Sequence, residues 1–517
     1  MPVHRTPSVP TDLDVDLAQD LAGLAAREPH RMYARERGRS VTVGDLDAEV
    51  DRVVSVLAEA GVGPGTRVAV SLPNSALHIA VVFALMRHRA LWVPLNTKLK
   101  GAPLAHLLDD SGATHLIAER DGSIAQAVDA QLRAEHGCGL DVLASLSKDA
   151  GVVLSRGREV GDVPDPIPDT ALLMYTSGTT GPPKGVRVTQ AMLRAAALGA
   201  VEVTDVAVGD VLYLWEPIFH IGGAQVLLIP LYTRASLAIT ERFSASRFWT
   251  EVHQFDVTHI HYLGGILQIL LQCPETDLER DNRVRVAWGA GATPAVREAC
   301  AKRFGFALHE TYGMTETSSI VTVNRGVADH GVGSPLPWFD VRIAADDDEP
   351  GAVGEILVRG HIPGLLTPGY LGRPEADAAA RDGDWFRTGD NGYLDETGHL
   401  HFVGRASDSI RVRGENVSAW QVEDVVARHP DVDRCAVVGV PSDVGESDIL
   451  LLITSPRPQM VDARAVVEWA SDHLAPFQLP RYVRVIDEMP LTPSQRVAKH
   501  ELPRGLQNAI DCAPRPI

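Results

Sequence analysis

The sequence predicts an α/β protein: a large N-terminal domain of several subdomains built on parallel sheets, followed by a small, mobile α+β C-terminal domain. Three observations carry that expectation. The 517 residues exceed what one hydrophobic core ordinarily serves. Apolar β-rich runs alternate with segments of helical length through the first part of the chain. The composition then shifts near Gly404-Arg405, so the boundary is placed between residues 1–405 and residues 406–517.

Taken in order, residues 66–72 (TRVAVSL) read as a strand and Pro73-Asn74 as a turn able to cap the next segment. Residues 75–90 have helical length, and 91–94 resume as a strand. Strand, helix, strand is the mark of a parallel sheet, and strand runs recur at 114–119 and 171–175. The acidic run 346–349, followed by Pro350-Gly351, reads as a solvated turn. Beyond the boundary, residues 417–429 read as a helix, with Val417, Val422, Val425 and Val426 forming much of one stripe. Residues 435–440 and 449–454 read as strands and 466–474 as a second helix.

Composition excludes several classes of function. Apolar residues make up 45% and charged residues 22%, as in a soluble globular protein. With 48 basic against 67 acidic residues the net charge is −19, which argues against a nucleic-acid or anionic-membrane surface. A phosphate site must therefore be built locally, from backbone amides and a few cations. The five cysteines (Cys138, Cys273, Cys300, Cys435, Cys512) form no CxxC or Cys/His cluster, so neither a disulfide framework nor a zinc site is expected. The first residues hold no apolar signal core, and the longest apolar stretch, 76–86, is interrupted by His78 and too short to span a bilayer. The expectation is a reduced, cytoplasmic protein; nothing in the sequence fixes its oligomeric state.

The strongest local signal is residues 175–186, YTSGTTGPPKGV. An apolar strand runs into hydroxyls and glycines, then a lysine, then a second strand at 186–188. Glycines let the backbone turn its amides toward an anion, hydroxyls add donors, and Lys184 supplies a compact charge suited to phosphate. Gly185 stands where a Walker A loop requires Ser or Thr, so this is a different phosphate loop.

The string resembles the phosphate loop of the superfamily of acyl-CoA synthetases, peptide-synthetase adenylation domains and beetle luciferase, whose further motifs appear in order along the chain. The resemblance implies that Thr176, Ser177, Gly178, Thr179, Thr180, Gly181 and Lys184 cradle the phosphates of ATP, with Thr179 also near the metal. It implies that His220, in EPIFHIGG, lies beside the acyl carboxylate, and that Gly291, Ala292 and Thr293 flank the adenine. In YGMTET, which includes Gly313 and Met314, it gives Tyr312 to the adenine, Thr315 to the α-phosphate and Glu316 to Mg²⁺. Asp390, in WFRTGDN, and Arg405 would take the ribose hydroxyls. Arg413, Gly414 and Glu415 would line the tunnel for the pantetheine arm of coenzyme A. Ile218, His220, Gly222 and Trp288 fall near the acyl pocket, which Gly264-Gly265 would border, and a bulky, mostly apolar acid is expected. Glu423 and Gly445-Glu446 read as structural. The implied ligands are Mg²⁺ with ATP, or AMP as part of an acyl-adenylate, and coenzyme A.

The chain departs from the superfamily in PLTPSQRVAKHEL, residues 490–502. Where the family carries Gly and then a catalytic lysine, this chain has Gln495 and Arg496, and Lys499 comes three residues later. Lysine and arginine are not equivalent where a compact charge sits between two anions. Two readings stay open: Arg496, or Lys499 after a shift, does the lysine's task; or adenylation is lost and a partner adenylating enzyme supplies acyl-AMP for thioesterification alone. Ser407 occupies the family's hinge position, with Asp408 beside it. A carrier-protein-loading ligase shares every nucleotide motif, but the ending is similar to that of the crotonobetaine/carnitine-CoA ligase-like subgroup, which favours free coenzyme A. A luciferase-like oxygenase shares only the fold. The intact Lys184, Glu316, Asp390 and Arg405 argue against a non-catalytic adenylate-binding protein.

Overall fold

Apolar runs without polar alternation belong to parallel strands covered on both faces, and two large sheets of this kind form the N-terminal part of the molecule. The computed structural model describes residues 16–99, 101–136, 140–147, 151–156, 170–176, 183–327, 331–345, 349–405, 409–412, 415–442, 447–474, 476–492 and 497–512. One sheet has seven strands, in the spatial order Asp141–Ser147, Val152–Arg156, His115–Glu119, Arg67–Ser71, Leu91–Pro94, Leu172–Thr176 and Lys184–Val188. Its four strands from His115–Glu119 to Leu172–Thr176 run parallel, as the βαβ reading expects, and the outer ones antiparallel. Arg67–Ser71 is buried at every position.

The second sheet has nine strands. Met32–Glu36, Ser236–Ile239, Val211–Leu214, His259–Leu263, Val286–Ala290 and Ala307–Tyr312 run parallel in that order. Arg39–Thr42 closes one edge antiparallel, and Thr322–Asn324 with Ser334–Pro335 closes the other. Helices Ala76–Arg87 and Ile221–Tyr232 share one core with strands of both sheets. A helix so enclosed must be apolar nearly all round, and Ala76–Arg87 is buried at position 76 and from 78 to 86. His78 is accommodated there as a neutral ring: burial pushes its pKa down to about 4, and Nδ1 lies 3.2 Å from the Pro73 carbonyl oxygen. Among the described residues, no helix is long and apolar enough to cross a membrane.

The cap of that helix is not the Pro73-Asn74 turn. Ser75 is the N-cap, its hydroxyl accepting from His78 N at 3.1 Å, and the Asn74 side chain is bound instead to Glu216 and Ile218.

A third sheet of five antiparallel strands contains Phe339–Ala344, Gly354–Gly360, Arg381–Asp382, Trp385–Leu394 and Leu400–Arg405. After it come a hairpin of Ser409–Val412 with Glu415–Ser418 and a four-stranded sheet of Arg434–Pro441, Ser447–Thr454, Tyr482–Val485 and Ile510–Asp511. These have cores of their own with helices Ala419–Val426 and Ala463–Ser471. Both helices differ from the reading by pattern. Val417 pairs with Ile410 in the hairpin, so the first helix starts at Ala419, although Val417, Val422 and Val426 share one core. The second starts three residues earlier than expected because the Asp462 carboxylate accepts from Arg464 N at 2.9 Å and Ala465 N at 3.4 Å, capping it. Residues 346–348 of the acidic run lie outside the described residues.

Candidate active site

Leu172–Thr176 and Lys184–Val188 pair antiparallel with Thr176 opposite Lys184, which brings together the two ends of the phosphate-loop sequence. Ser177, Gly178, Thr179, Thr180 and Gly181 lie outside the described residues. Lys184 shares a strand face with Val186 and Val188, both fully buried. On the other face, a Cβ at Gly185 would come within 3.1 Å of the Tyr175 ring, whose hydroxyl donates to Asp110 Oδ2 at 2.9 Å.

The sequence reading missed Tyr370. Its segment is laid along Lys184–Val188 by hydrogen bonds from Arg187 N to Gly369 O (3.0 Å) and from Leu371 N to Gly185 O (2.9 Å). The Lys184 ammonium lies 5.3 Å from the centre of the Tyr370 ring, and the Tyr370 hydroxyl donates to Glu316 Oε1 at 3.1 Å. One tyrosine thus touches both charges that the sequence singles out for phosphate and Mg²⁺. Burial, with the Glu316 charge next to it, pushes the Tyr370 phenol far up, so it remains a donor.

Glu316 lies in the short 3₁₀ turn Thr315–Thr317 just after the strand Ala307–Tyr312. The Thr315 hydroxyl meets Met174 Sδ, in the strand leading to the phosphate loop, at 3.9 Å. Gly313 has no alternative residue: a Cβ there would overlap the Ser319 carbonyl oxygen. The Tyr312 hydroxyl donates to Asp390 Oδ2 at 2.9 Å, both residues being buried. Asp390 stands opposite Arg405 in the sheet register. The structure therefore brings the residues expected at adenine and ribose together from positions 78 apart in the chain.

Gly291, next after the strand Val286–Ala290, has φ of +87°, a left-handed conformation suited to glycine. A second missed residue, Glu310, holds this turn. Its carboxylate accepts from Gly291 N at 2.5 Å, from Ala292 N at 3.2 Å and from the Tyr262 hydroxyl at 2.5 Å. Complete burial outweighs these donors and pushes its pKa up to about 7. Thr293 is the N-cap of helix Pro294–Phe304, its hydroxyl accepting from Val296 N at 3.3 Å.

At the acyl end, His220 is the N-cap residue of Ile221–Tyr232 and its ring lies 4.7 Å from that of Phe219. Asn74 clamps the segment before it: Asn74 Nδ2 donates to Glu216 O at 2.9 Å and Ile218 N donates to Asn74 Oδ1 at 3.1 Å. Ile218 and Trp288 are fully buried. A Cβ at Gly222 would overlap the Glu216 carboxylate, which therefore lies across the first turn of the helix.

In the C-terminal part, the backbone of Glu415 begins a strand, while Arg413 and Gly414 lie outside the described residues, as do Ser407, Asp408, Gly445-Glu446, Gln495 and Arg496. Lys499 is described, and its Nζ lies 2.9 Å from Glu423 Oε1.

Comparison with known proteins matches residues 22–371 to the model of the AMP-binding enzymes and residues 421–496 to that of their C-terminal domain. The chain belongs to the AMP-binding enzymes. Feruloyl-CoA synthase of Amycolatopsis is 31% identical, covering 93% of this chain and 97% of its own. Crotonobetaine/carnitine–CoA ligase of Salmonella typhi is 27% identical with the same coverage. Among solved structures, O-succinylbenzoate coenzyme A synthetase of Bacillus subtilis, in complex with ATP and a magnesium ion, superposes with a TM-score of 0.79 at 28% identity, covering 93% of this chain and 98% of that one. In this AMP-binding enzyme, Tyr312 pairs with Asp390, and Tyr370 joins Lys184 to Glu316. The first group sets an aromatic ring beside an acid, a chemistry able to take a base and a diol, and the second a cation near a carboxylate, a chemistry able to take phosphate and Mg²⁺.

Proposed function

We propose that this AMP-binding enzyme is an acyl-CoA ligase, joining a carboxylic acid to coenzyme A by way of acyl-AMP. The observation that carries the reading is the continuous chain of contacts from Lys184 through Tyr370 to Glu316, together with the Tyr312–Asp390 pair. In the first half-reaction the acid's carboxylate oxygen attacks the α-phosphorus of ATP and pyrophosphate leaves. Lys184, with the phosphate-loop residues, would neutralise the phosphates, and Glu316, with Thr179, would hold the Mg²⁺ that screens them. In the second, the thiolate of coenzyme A attacks the acyl carbon and AMP leaves. His220 would stand at the acyl carboxylate, Asp390 and Arg405 at the ribose, Gly291, Ala292 and Thr293 at the adenine. Arg413, Gly414 and Glu415 would line the thiol's approach.

A second reading is favoured by the Lys499–Glu423 ion pair. A lysine committed to a partner in its own domain is a poor replacement for the missing catalytic lysine. The first half-reaction then depends on Arg496; removing a preorganised charge of this kind costs a factor of about 10² to 10³ in rate. On this reading the enzyme thioesterifies an acyl-AMP made by a partner.

The deciding experiment is pyrophosphate exchange into ATP for the wild type and Arg496→Lys, across a pool of carboxylic acids, beside acyl-CoA formation from synthetic acyl-AMP. Exchange by the wild type supports a complete ligase. Exchange only by Arg496→Lys, with thioesterification in both, supports the divided reaction. Acyl transfer to a phosphopantetheine-bearing carrier protein but not to coenzyme A would replace both with a carrier-loading enzyme. Absence of both half-reactions in both proteins would sink the ligase reading.

A further inference from the structure

We infer that Gln225 is a specificity-determining residue of the acyl pocket, and that the natural acid carries in its acyl part a primary carboxamide that pairs with the Gln225 side chain. The inference rests on the ligase reading and narrows its substrate class.

Gln225 lies in the second turn of helix Ile221–Tyr232, whose N-cap residue is His220. Residues three apart on a helix are neighbours on one face, so Gln225 stands one turn further along the face that Gly222 presents. Gly222 itself shows where that face looks: a Cβ there would overlap the Glu216 carboxylate. Glu216 Oε2 in turn lies 2.5 Å from His261 Nδ1, and the centre of the His261 ring lies 5.2 Å from that of Trp288. The Gly222 face of the helix is therefore turned toward the wall that holds Trp288, both residues already singled out for the acyl pocket. Trp288 belongs to the core that this helix shares with the sheets.

Three side-chain amides are buried among the described residues: Asn74, Asn324 and Gln225. The first two use both of their polar atoms. Asn74 bonds Glu216 O and Ile218 N, and Asn324 bonds the carbonyl oxygens of Val327 and Gly331 and the amide of Val327. Gln225 is 1% exposed, and neither its Oε1 nor its Nε2 has a hydrogen-bond partner among the described residues. Turning the amide over exchanges the two atoms and leaves both unmatched. The helix has no structural need of it: positions 222–224 and 226–230 are buried as well, and a helix so enclosed is served by apolar side chains. A buried amide with donors and acceptor unmet weakens the free protein where a leucine would not.

What such a residue provides is a donor and an acceptor side by side in a place without water. A primary carboxamide on the substrate meets both at once: its N–H donates to Gln225 Oε1 while its carbonyl oxygen accepts from Gln225 Nε2. A ketone engages only the nitrogen, and an alkyl group neither atom. An ionised second carboxyl would bring an uncompensated charge into apolar surroundings. The Trp288 indole Nε1, fully buried and likewise without an acceptor among the described residues, is a further donor in the pocket wall for a carbonyl oxygen. Gln225 takes no part in bond making. It touches the substrate away from the reacting carboxyl and selects one polar group at one point of an otherwise apolar acyl part.

The test uses acyl-sulfamoyl adenosines, stable mimics of acyl-AMP, made from the half-amides of succinic, glutaric, adipic and pimelic acids. Each is compared with the methyl ketone and the alkyl chain of the same length. Affinities are measured by calorimetry on the full chain, with AMP binding as the check that each protein is folded. For at least one length the amide should bind the wild type about tenfold or more tightly than the alkyl parent, which leaves two buried groups unpaired, with the ketone in between. That ratio should fall to about one or below in Gln225→Leu. Gln225→Met, which keeps the length of the side chain, should do the same and serves where Gln225→Leu does not fold. Without ligand the variants should melt no lower than the wild type, since each loses two unmatched polar atoms. A fall of more than about 4 °C in both means that ordered water satisfies the amide and that it serves the fold. That result overturns the inference. So does an amide that binds no more tightly than its alkyl parent at every length, a ketone that matches its amide, or an amide preference that survives in both variants. Each of these leaves the ligase reading intact. Failure of AMP and of every adenylate mimic to bind the wild type would defeat the ligase reading as well.

Discussion

The Lys499 ammonium lies 2.9 Å from Glu423 Oε1, and the same carboxylate oxygen accepts from Val437 N at 2.7 Å. Glu423 thereby ties the final stretch of the chain to helix Ala419–Val426 and to the strand Arg434–Pro441. Lys499→Gln should lower the stability of the C-terminal domain by about 1 kcal/mol, as expected for a partly exposed pair, and leave acid-dependent pyrophosphate exchange within about twofold of wild type. Thermal denaturation and exchange assays check both halves. A collapse of exchange with unchanged stability would restore Lys499 as the adenylation lysine.

Tyr370 is placed to hold Glu316 in position for Mg²⁺. In Tyr370→Phe the ring stays beside Lys184 and the donor to Glu316 is lost, so the half-saturating Mg²⁺ concentration should rise about tenfold. The KM for the acid should not move. Tyr370→Leu also removes the ring from Lys184 and should add a further factor of about two to five, seen as a higher KM for ATP.

Glu310 gives the fold a pH dependence of definite sign. Its pKa is raised from the ordinary 4.5 to about 7 by burial. Between those values the unfolded chain has released the proton and the folded chain still holds it. Its contribution is therefore fully present below about pH 4.5 and is lost as the pH rises through about 7. The loss is of the order of 3 kcal/mol. Glu310→Gln cannot titrate, so its stability relative to wild type should improve from pH 5 to pH 8 in denaturant unfolding, by at most about that amount. A difference that stays constant over this range would show that Glu310 is ionised throughout.

Asn74→Ala should loosen the acyl end from a distance. It leaves Ile218 N and Glu216 O without the amide that satisfies both, at a cost of about 1–3 kcal/mol for each buried group. A lower melting temperature and a higher KM for the acid are expected, with KM for ATP close to wild type. Steady-state kinetics with each substrate varied in turn separates the two.

The sequence was readable where chemistry and local order coincide. The strand Leu91–Pro94 falls where its apolar run predicts, and Lys184 lies in a string whose composition already suggests phosphate, whereas Tyr312, Glu316 and Asp390 stand out through the resemblance of their strings to those of a family. What escaped depends on distant partners. Tyr370 acquires its place from Glu316, 54 residues away, and Asn74 from Glu216, 142 residues away. As a residue, Asn74 advertises only a turn. Glu310 looks like an ordinary strand residue until the turn after the neighbouring strand Val286–Ala290 sets its amides against the carboxylate. The valine stripe found the core of the C-terminal domain but misjudged its first helix, because a buried valine serves a hairpin as well as a helix.

The pairing of Thr176 with Lys184 also governs how the phosphate loop can change over time. Alternate residues of a strand face opposite ways, and Lys184 shares its side with Val186 and Val188, which are locked in the core. The side on which the lysine emerges is therefore decided two and four residues downstream. Residues of the loop itself can be exchanged while the valines keep count, but deletion of a single residue between Lys184 and Val188 reverses the parity and turns the lysine to the other side of the sheet.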